Sequence, residues 1–553
     1  MLIYEGLAQA FAEEGVDAHF GLMGDGNMHW MTAMSHLPGM KTIGVRHEHC
    51  AVLMAIGHWS ATGKVGVCSI THGPGFTQVM TGLTTAVRNN VPLIVFAGET
   101  SLSAPWALQA MDQAPLAKAC GAEYIAIHSP KRIHQQLTEA FFIARTQKKP
   151  VVIGVPLDIQ KMPMPEIPAY EPSLSFIPRQ TRLPPDAEQI RELAQLLAKA
   201  KRPVLVAGRG VSLSGAESEL EKLADKTGAL LGTTLLAKGM FDHHSFSLGI
   251  VGGYVREASR QAVKEADLVI AFGAQLSRFT LDGGNLFPNA EVVQVDLEPQ
   301  GLKEGLRSAH RMLRSDAKLA VLELLAEIEK IGKCDADVRS DALAKNLREG
   351  PADPTPYEIT DGTLDPRRVF EALEDIIPRD YHVVSGSAHQ AYWHTALRGS
   401  APETYHAIRA FGAIGNALPF AMGVAVGRED GRVILVEGDG GLLMHAQEFE
   451  TLQRHGIRLL VMCVDDGAFG AEIHKLRVEG VDDTGAVFGR PNFEGVAKAF
   501  GIGGATVTKL EQLKPLFEEY DRRETSVVWD IHVSDQVLAP PMRDEVAAAK
   551  RSK

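Results

Sequence analysis

A chain of 553 residues is too long for one ordinary hydrophobic core and implies three or four domains. Its formal net charge of -12, with no long basic run, argues against a nucleic-acid footprint. No segment offers the roughly 18 uninterrupted apolar residues of a membrane span, so neither nucleic acid nor membrane is expected as a partner.

The first segment, MLIYEGLAQAFAEEGVDAHF, alternates apolar and charged residues in a helical rhythm. It lacks the basic, apolar and small-residue regions of an export signal. Five scattered cysteines (Cys50, Cys68, Cys120, Cys334 and Cys463) form no CxxC pair. That pattern fits reduced thiols in a cytoplasm, and Cys463 is expected to pack as a small hydrophobe inside a strand.

Short, almost continuously apolar runs then recur between helical stretches: VPLIVFAGE (91–99), PVVIGVPLD (150–158), PVLVAGRG (203–210), ADLVIAFGA (266–274), AEVVQVDLE (290–298), GRVILVEGD (431–439) and IRLLVMCVDD (457–466). Strands of this kind are buried on both faces of a parallel sheet. Segments such as EQIRELAQLLAKA between them have helical spacing, so the pattern is repeated βαβ. The proline-rich stretch 161–186 and the Pro/Gly/Asp-rich stretch 347–366 read as linkers. The expected architecture is three doubly wound, parallel-sheet α/β domains near 1–165, 185–335 and 365–535. The closing MRDEVAAAKRSK is polar and expected to fray.

Two of the apolar strands end in aspartate, the first as Gly438-Asp439-Gly440-Gly441 and the second as Asp465-Asp466. Ligands of open parallel sheets bind beyond the carboxyl ends of the strands, and one connecting helix, HAQEFETLQRHG, would make the two strands near neighbours. Glycines allow close backbone approach, and the following helix turns its N-terminal amides to the same place. Converging carboxylates beside such an end suit a hard divalent cation bridging to a diphosphate. Taken alone, Asp439 reads more simply as the cap of the next helix. A dinucleotide fingerprint fails on spacing, because its third glycine would fall at Leu443, and at Leu213 in the central region.

The whole stretch resembles the diphosphate-binding signature of thiamine diphosphate (ThDP) enzymes, in which a GDG motif is followed, after a spacer like 441–464, by a pair usually written Asn-Asn. Here that pair is Asp465-Asp466. The resemblance implies that Asp439, Asp466 and the carbonyl of Ala468 bind Mg²⁺. Aspartate keeps an oxygen donor and adds negative charge, which bears on cofactor affinity more than on cofactor identity.

Further segments resemble, in order, the branch containing acetolactate synthase, pyruvate oxidase and benzaldehyde lyase. GVRHEHC places Glu48 where that branch has a glutamate against the aminopyrimidine ring. FGLMGDGN (20–27) looks like its first substrate-side loop, THGPGF (71–76) like its glycine-rich turn, and ALQAMDQ (107–113) like a segment placing Gln109 near substrate. SGSAHQAYW (385–393) occupies the place of the first diphosphate loop, with Ser387, Ala388 and His389 as candidates. RAFGAIGNALPF (409–420) matches the segment that holds the cofactor bent, with Ile414 as the apolar prop and the Gly412 carbonyl as acceptor for the 4'-amino group. Gly438, Gly440 and Gly441 complete the cofactor set.

The resemblance implies a pyrimidine-binding, a central and a diphosphate-binding domain, and an enzyme that makes or breaks a C–C bond next to a carbonyl. A small-molecule carbonyl substrate follows. The first alternative is an acetolactate synthase-like carboligase or decarboxylase of a 2-oxo acid. The others are a lyase of 2-hydroxyketones or 2-hydroxyacyl thioesters, and a non-catalytic homologue. Some relatives carry FAD or a nucleotide in the central domain, for which this chain has no usable fingerprint. Glu48 would come from one subunit and Asp439/Asp466 from another, which implies a homodimer at least and a tetramer by analogy. His72 and His29 are histidines whose ordinary pKa would let them move protons, or which simply hold hydrogen bonds.

Overall fold

The computed structural model describes residues 1–543 except 105, 180 and 398–400; most of the end expected to fray lies outside the described residues. Three six-stranded sheets, each fully parallel, follow one another along the chain. The first runs, in spatial order, Lys41–Gly44, Ala18–Gly21, Gly66–Ile70, Leu93–Glu99, Pro150–Pro156, Glu123–Ala126. The second runs Arg311–Arg314, Glu291–Asp296, Leu268–Phe272, Pro203–Ala207, Leu230–Thr233, Ser247–Ile250. The third runs Tyr405–Ala407, His382–Ser385, Val433–Gly438, Leu460–Asp465, Val527–His532, Gly503–Val507. Every apolar run read as a strand lies in one, and Cys463 is fully buried in its strand.

The first and third sheets have the same strand order, and in each the order reverses between the first strand in sequence and the third. That reversal opens a crevice at the strands' carboxyl ends. In the third sheet it lies between His382–Ser385 and Val433–Gly438, whose registers run His382↔Val433 to Ser385↔Val436. In the first it lies between Ala18–Gly21 and Gly66–Ile70. At the reversal of the central sheet the two loops touch instead. A Cβ on Gly210 would stand 2.6 Å from the Gly273 Cα, so backbone fills the place where a crevice would open.

The first and third sheets share one core. The helix Glu48–Thr62 is apolar nearly all round and buried from His49 to His58, because it packs on its own sheet and on the helix Ala417–Arg428. Glycine makes the crossing close: a Cβ on Gly57 would fall well inside contact of the Phe420 carbonyl, and one on Gly423 inside that of Met54. The proline-rich stretch has no strand among its described residues, yet it is docked. Buried Glu14 accepts from the Ser173 amide at 2.7 Å and from the Tyr170 hydroxyl at 2.6 Å, and pairs with Arg145. The stretch 347–366 begins inside a helix, Asp341–Glu349, whose Leu347 packs with Val338 into the core of the central sheet.

Candidate active site

The strand Val433–Gly438 ends at Gly438, and the next residue, Asp439, opens a short helix, Asp439–Leu443. The expected single helix between the two aspartate-ended strands is in fact two, this one and Glu448–Arg454, separated by turn residues around His445. The strands are direct neighbours, with Gly438 opposite Val464. The two carboxylates therefore converge. Asp439 accepts from the Gly440 amide at 2.8 Å and from the Gly467 amide at 2.9 Å, while Asp466 accepts from the Ala468 amide at 3.2 Å.

These residues line one cleft of about 530 Å³ at the crevice of the third sheet. Ser387, Ala388, His389, Ile414, Gly438, Asp439, Gly440, Gly441, Asp466 and Ala468 all face it. Gly412 sits beside it in the same loop as Ile414, at φ +72°, and does not line it. Ala388 is held at φ +90°, ψ -160°, a backbone region that only glycine enters without strain. Such strain persists where the surroundings dictate the backbone, and here it turns the chain from strand into the cleft wall.

Burial raises the carboxyl of Asp439, and the neighbouring charge of Asp466 raises it further; burial likewise raises Asp466. Among the described residues no lysine or arginine pairs with Asp439. The basic group nearest Asp466 in an ion-pair sense is His389, whose Nδ1 lies 3.9 Å away and which burial pushes down to about 4, hence neutral near pH 7. Arg490 and Arg477 offset the Asp466 charge only in part, and burial still raises both carboxyls. Two such oxygen donors beside the Ala468 backbone fit a hard divalent ion.

Sequence reasoning missed part of this wall. Glu437 is 1% exposed, accepts from Gln390 Nε2 at 2.9 Å, and leaves Oε2 without a partner; burial raises its pKa to about 8. Gln390 also donates to the Ser387 carbonyl at 2.6 Å, so this pair ties the loop after His382–Ser385 to the GDG turn. The only sequence signal was an acid preceding GDG inside an otherwise apolar strand. Gly470 was missed as well: a Cβ there would overlap Asp466 Oδ2 and stand 3.1 Å from His389 Nδ1.

The remaining expected site residues gather elsewhere, at the crevice of the first sheet. Glu48 is the first residue of its helix and half-buried, with its carboxylate toward the turn 71–75: a Cβ on Gly75 would stand 3.3 Å from Glu48 Oε1. His72 is 4% exposed, with Nδ1 lacking a partner, and a Cβ on Gly26 would lie 2.9 Å from that atom. Burial lowers the His72 pKa. The Gln109 backbone covers Gly73, and His29 packs its ring 5.5 Å from that of Tyr4. Within one chain the two groups stay apart: the cleft is lined from Pro366 onward and by no residue of the first sheet.

Comparison with known families identifies the domains that carry these two groups of residues. Residues 1–116 match the thiamine pyrophosphate enzyme N-terminal TPP binding domain, 190–325 the central domain, and 386–531 the C-terminal TPP binding domain. The chain belongs to the thiamine diphosphate-dependent enzymes. It is 28% identical to a probable acetolactate synthase large subunit of Methanocaldococcus jannaschii, over 97% of this chain and 93% of that protein. It is 29% identical to the acetolactate synthase isozyme 2 large subunit of Escherichia coli, over 92% and 91%. The Haemophilus influenzae acetolactate synthase large subunit is 27% identical over 98% and 96%. The ThDP enzyme's N- and C-terminal domains are thus the two that carry the crevices described above.

Proposed function

We propose that this ThDP enzyme is a carboligase or decarboxylase of a 2-oxo acid, resembling acetolactate synthase, and that it uses Mg²⁺. The observation that carries the reading is the convergence of the diphosphate-side residues on one cleft with two carboxyl groups whose pKa values burial raises. Asp439, Asp466 and the Ala468 carbonyl would hold the ion, while Ser387, Ala388, His389 and Gly438 to Gly441 would shape the diphosphate pocket. Ile414 would be an apolar prop for the cofactor, and the Gly412 carbonyl would accept from its amino group. Bound ThDP supplies a nucleophilic carbon and an electron sink for breaking a bond next to a carbonyl.

Glu48 would bind the pyrimidine end. His72, whose pKa burial lowers, would take part in proton transfer with substrate, and Gln109 would orient it. A complete site then needs the Glu48 cluster of one copy over the cleft of another. Exposed apolar side chains surround both halves and support that pairing: Trp106 is 80% exposed beside the Gln109 segment, and Phe411, Met444, Phe469 and Phe488 flank the cleft. A homodimer is the minimum and a tetramer the assembly we favour. The free cysteines support a cytoplasmic location.

The test is turnover of pyruvate with ThDP and Mg²⁺, following CO₂ and acetolactate. Release of both, lost in Glu48→Gln while ThDP still binds, supports the reading. Bound ThDP without pyruvate turnover would replace it with a lyase of 2-hydroxyketones or 2-hydroxyacyl thioesters, and absence of ThDP binding would overturn it.

A further inference from the structure

The strands Leu460–Asp465 and Val527–His532 pair in parallel, with Cys463 opposite Asp530 and Asp465 opposite His532. Side chains alternate along a strand, and registered partners share a face, so Asp465, Asp530 and His532 stand together at the carboxyl ends of the two strands. One donor atom from each lies within 4.8 Å of the other two. His532 Nε2 is 3.5 Å from Asp530 Oδ2.

These groups are not solvated carboxylates. The Asp465 side chain is 0% exposed and that of Asp530 2%. Asp465 Oδ1 is satisfied by the Gly467 amide at 2.9 Å, but among the described residues Asp465 Oδ2 and Asp530 Oδ1 are buried with no hydrogen-bond donor, and the Asp465 carboxyl meets those of Asp439 and Asp530. Among the described residues one arginine pairs with the cluster, Arg490, at 3.7 Å from Asp465. Buried acceptors left without a donor are costly, and two adjacent carboxylates are more so. Donors sharing one cation sit at most about twice a 2.0–2.4 Å bond apart, and the measured His532–Asp530 separation of 3.5 Å is within that reach. An imidazole among carboxylates suits a first-row transition ion better than Mg²⁺. His532, 23% exposed, leaves a way in from solvent.

We propose that Asp465, Asp530 and His532 bind a divalent cation of the Zn²⁺ or Mn²⁺ kind, at a site that adjoins the Asp439–Asp466 pair but uses a different set of ligands. Such an ion fastens the ends of two neighbouring strands. It also fixes the Asp465 carboxylate, which shares the Gly467 amide with Asp439 and so reaches the wall of the ThDP cleft.

The test uses the full chain, incubated with Zn²⁺ in buffer containing excess Mg²⁺, gel-filtered, and analysed for zinc per chain by mass spectrometry. The expected result is one zinc retained by the unaltered protein and by Asp466→Ala. Asp530→Asn and His532→Gln should bind it at least tenfold more weakly, with unchanged circular dichroism. His532→Gln alters a partly exposed side chain, so it decides the matter if Asp530→Asn misfolds. No retained zinc, zinc held equally by His532→Gln, or zinc lost from Asp466→Ala would each overturn the proposal. The first of these would mean that the two carboxyls share a proton instead.

Discussion

Gly470→Ala should weaken metal binding without weakening the fold. The added methyl would overlap Asp466 Oδ2, with Asp466 Cγ at 3.3 Å and His389 Nδ1 at 3.1 Å closing the other directions. A carbon–oxygen contact needs about 3.3 Å, so the carboxylate oxygen must retreat by roughly 1 Å. Metal ligands tolerate only about 0.2 Å of misplacement, so one of two carboxylate donors is lost. Changes outside the ligand shell already cost about 10–100-fold in metal affinity, so this one should cost at least that, about 1.4–2.7 kcal/mol or more. Gly470 is the first residue of the helix Gly470–Glu479 and has no positive φ, so alanine favours the helix by up to about 1 kcal/mol. The assay is a Mg²⁺ titration at saturating ThDP by calorimetry, with a thermal melt of the apo protein. Gly485→Ala, where nothing lies within 4 Å of the new methyl, is the control. Unchanged Mg²⁺ affinity in Gly470→Ala would refute the assignment of Asp466 as a ligand.

Three further outcomes follow from the same geometry. Asp466→Asn keeps an oxygen donor and removes one charge from the buried pair, so the ThDP dissociation constant at fixed Mg²⁺ should fall; a rise would show that the second carboxylate is needed. Ala388→Gly relieves a backbone strain of about 1–3 kcal/mol and should raise the melting temperature, whereas a lower one would mean that Ala388 is unstrained. Acid should destabilise the protein steeply. Burial lowers His19 and His406 to about 3 and His58 and His382 to about 4, from 6.5 when unfolded. The unfolded chain therefore gains these protons first, and stability present above pH 6.5 is lost on acidification at about 1.4 kcal/mol per histidine per pH unit. A melting temperature flat between pH 7 and about pH 5 would contradict this.

Much of the architecture was legible because parallel strands buried on both faces must be apolar throughout. Other strands were not: interior Gly66–Ile70, His382–Ser385 and Val527–His532 carry serine, histidine or aspartate that interrupt the apolar run, and the half-exposed edge strands Lys41–Gly44 and Gly503–Val507 are broken by glycine, lysine and threonine. The GDG turn and Glu48 could be read because their chemistry is local in sequence. Glu437, Asp530 and His532 could not, since inside an apolar run an acid announces nothing until the neighbouring strand's register is known. The same limit hid Gly470, whose need for a bare Cα arises from a carboxylate it meets only in the fold. Proline content marked 161–186 as a linker, but only the fold shows Glu14 clasping it.

The claim on which the account turns is that a working site is assembled from two copies of the chain. Its most direct test is to co-express Glu48→Gln with Asp466→Ala under different tags and assay the doubly purified hybrid. Each parent should be inactive, whereas a hybrid dimer carries one intact site and one doubly altered site. Random mixing should then restore about a quarter of the unaltered activity, and purified hybrid dimers about half. A hybrid as inactive as its parents would contradict the shared site and require Glu48 to act on the cleft of its own chain.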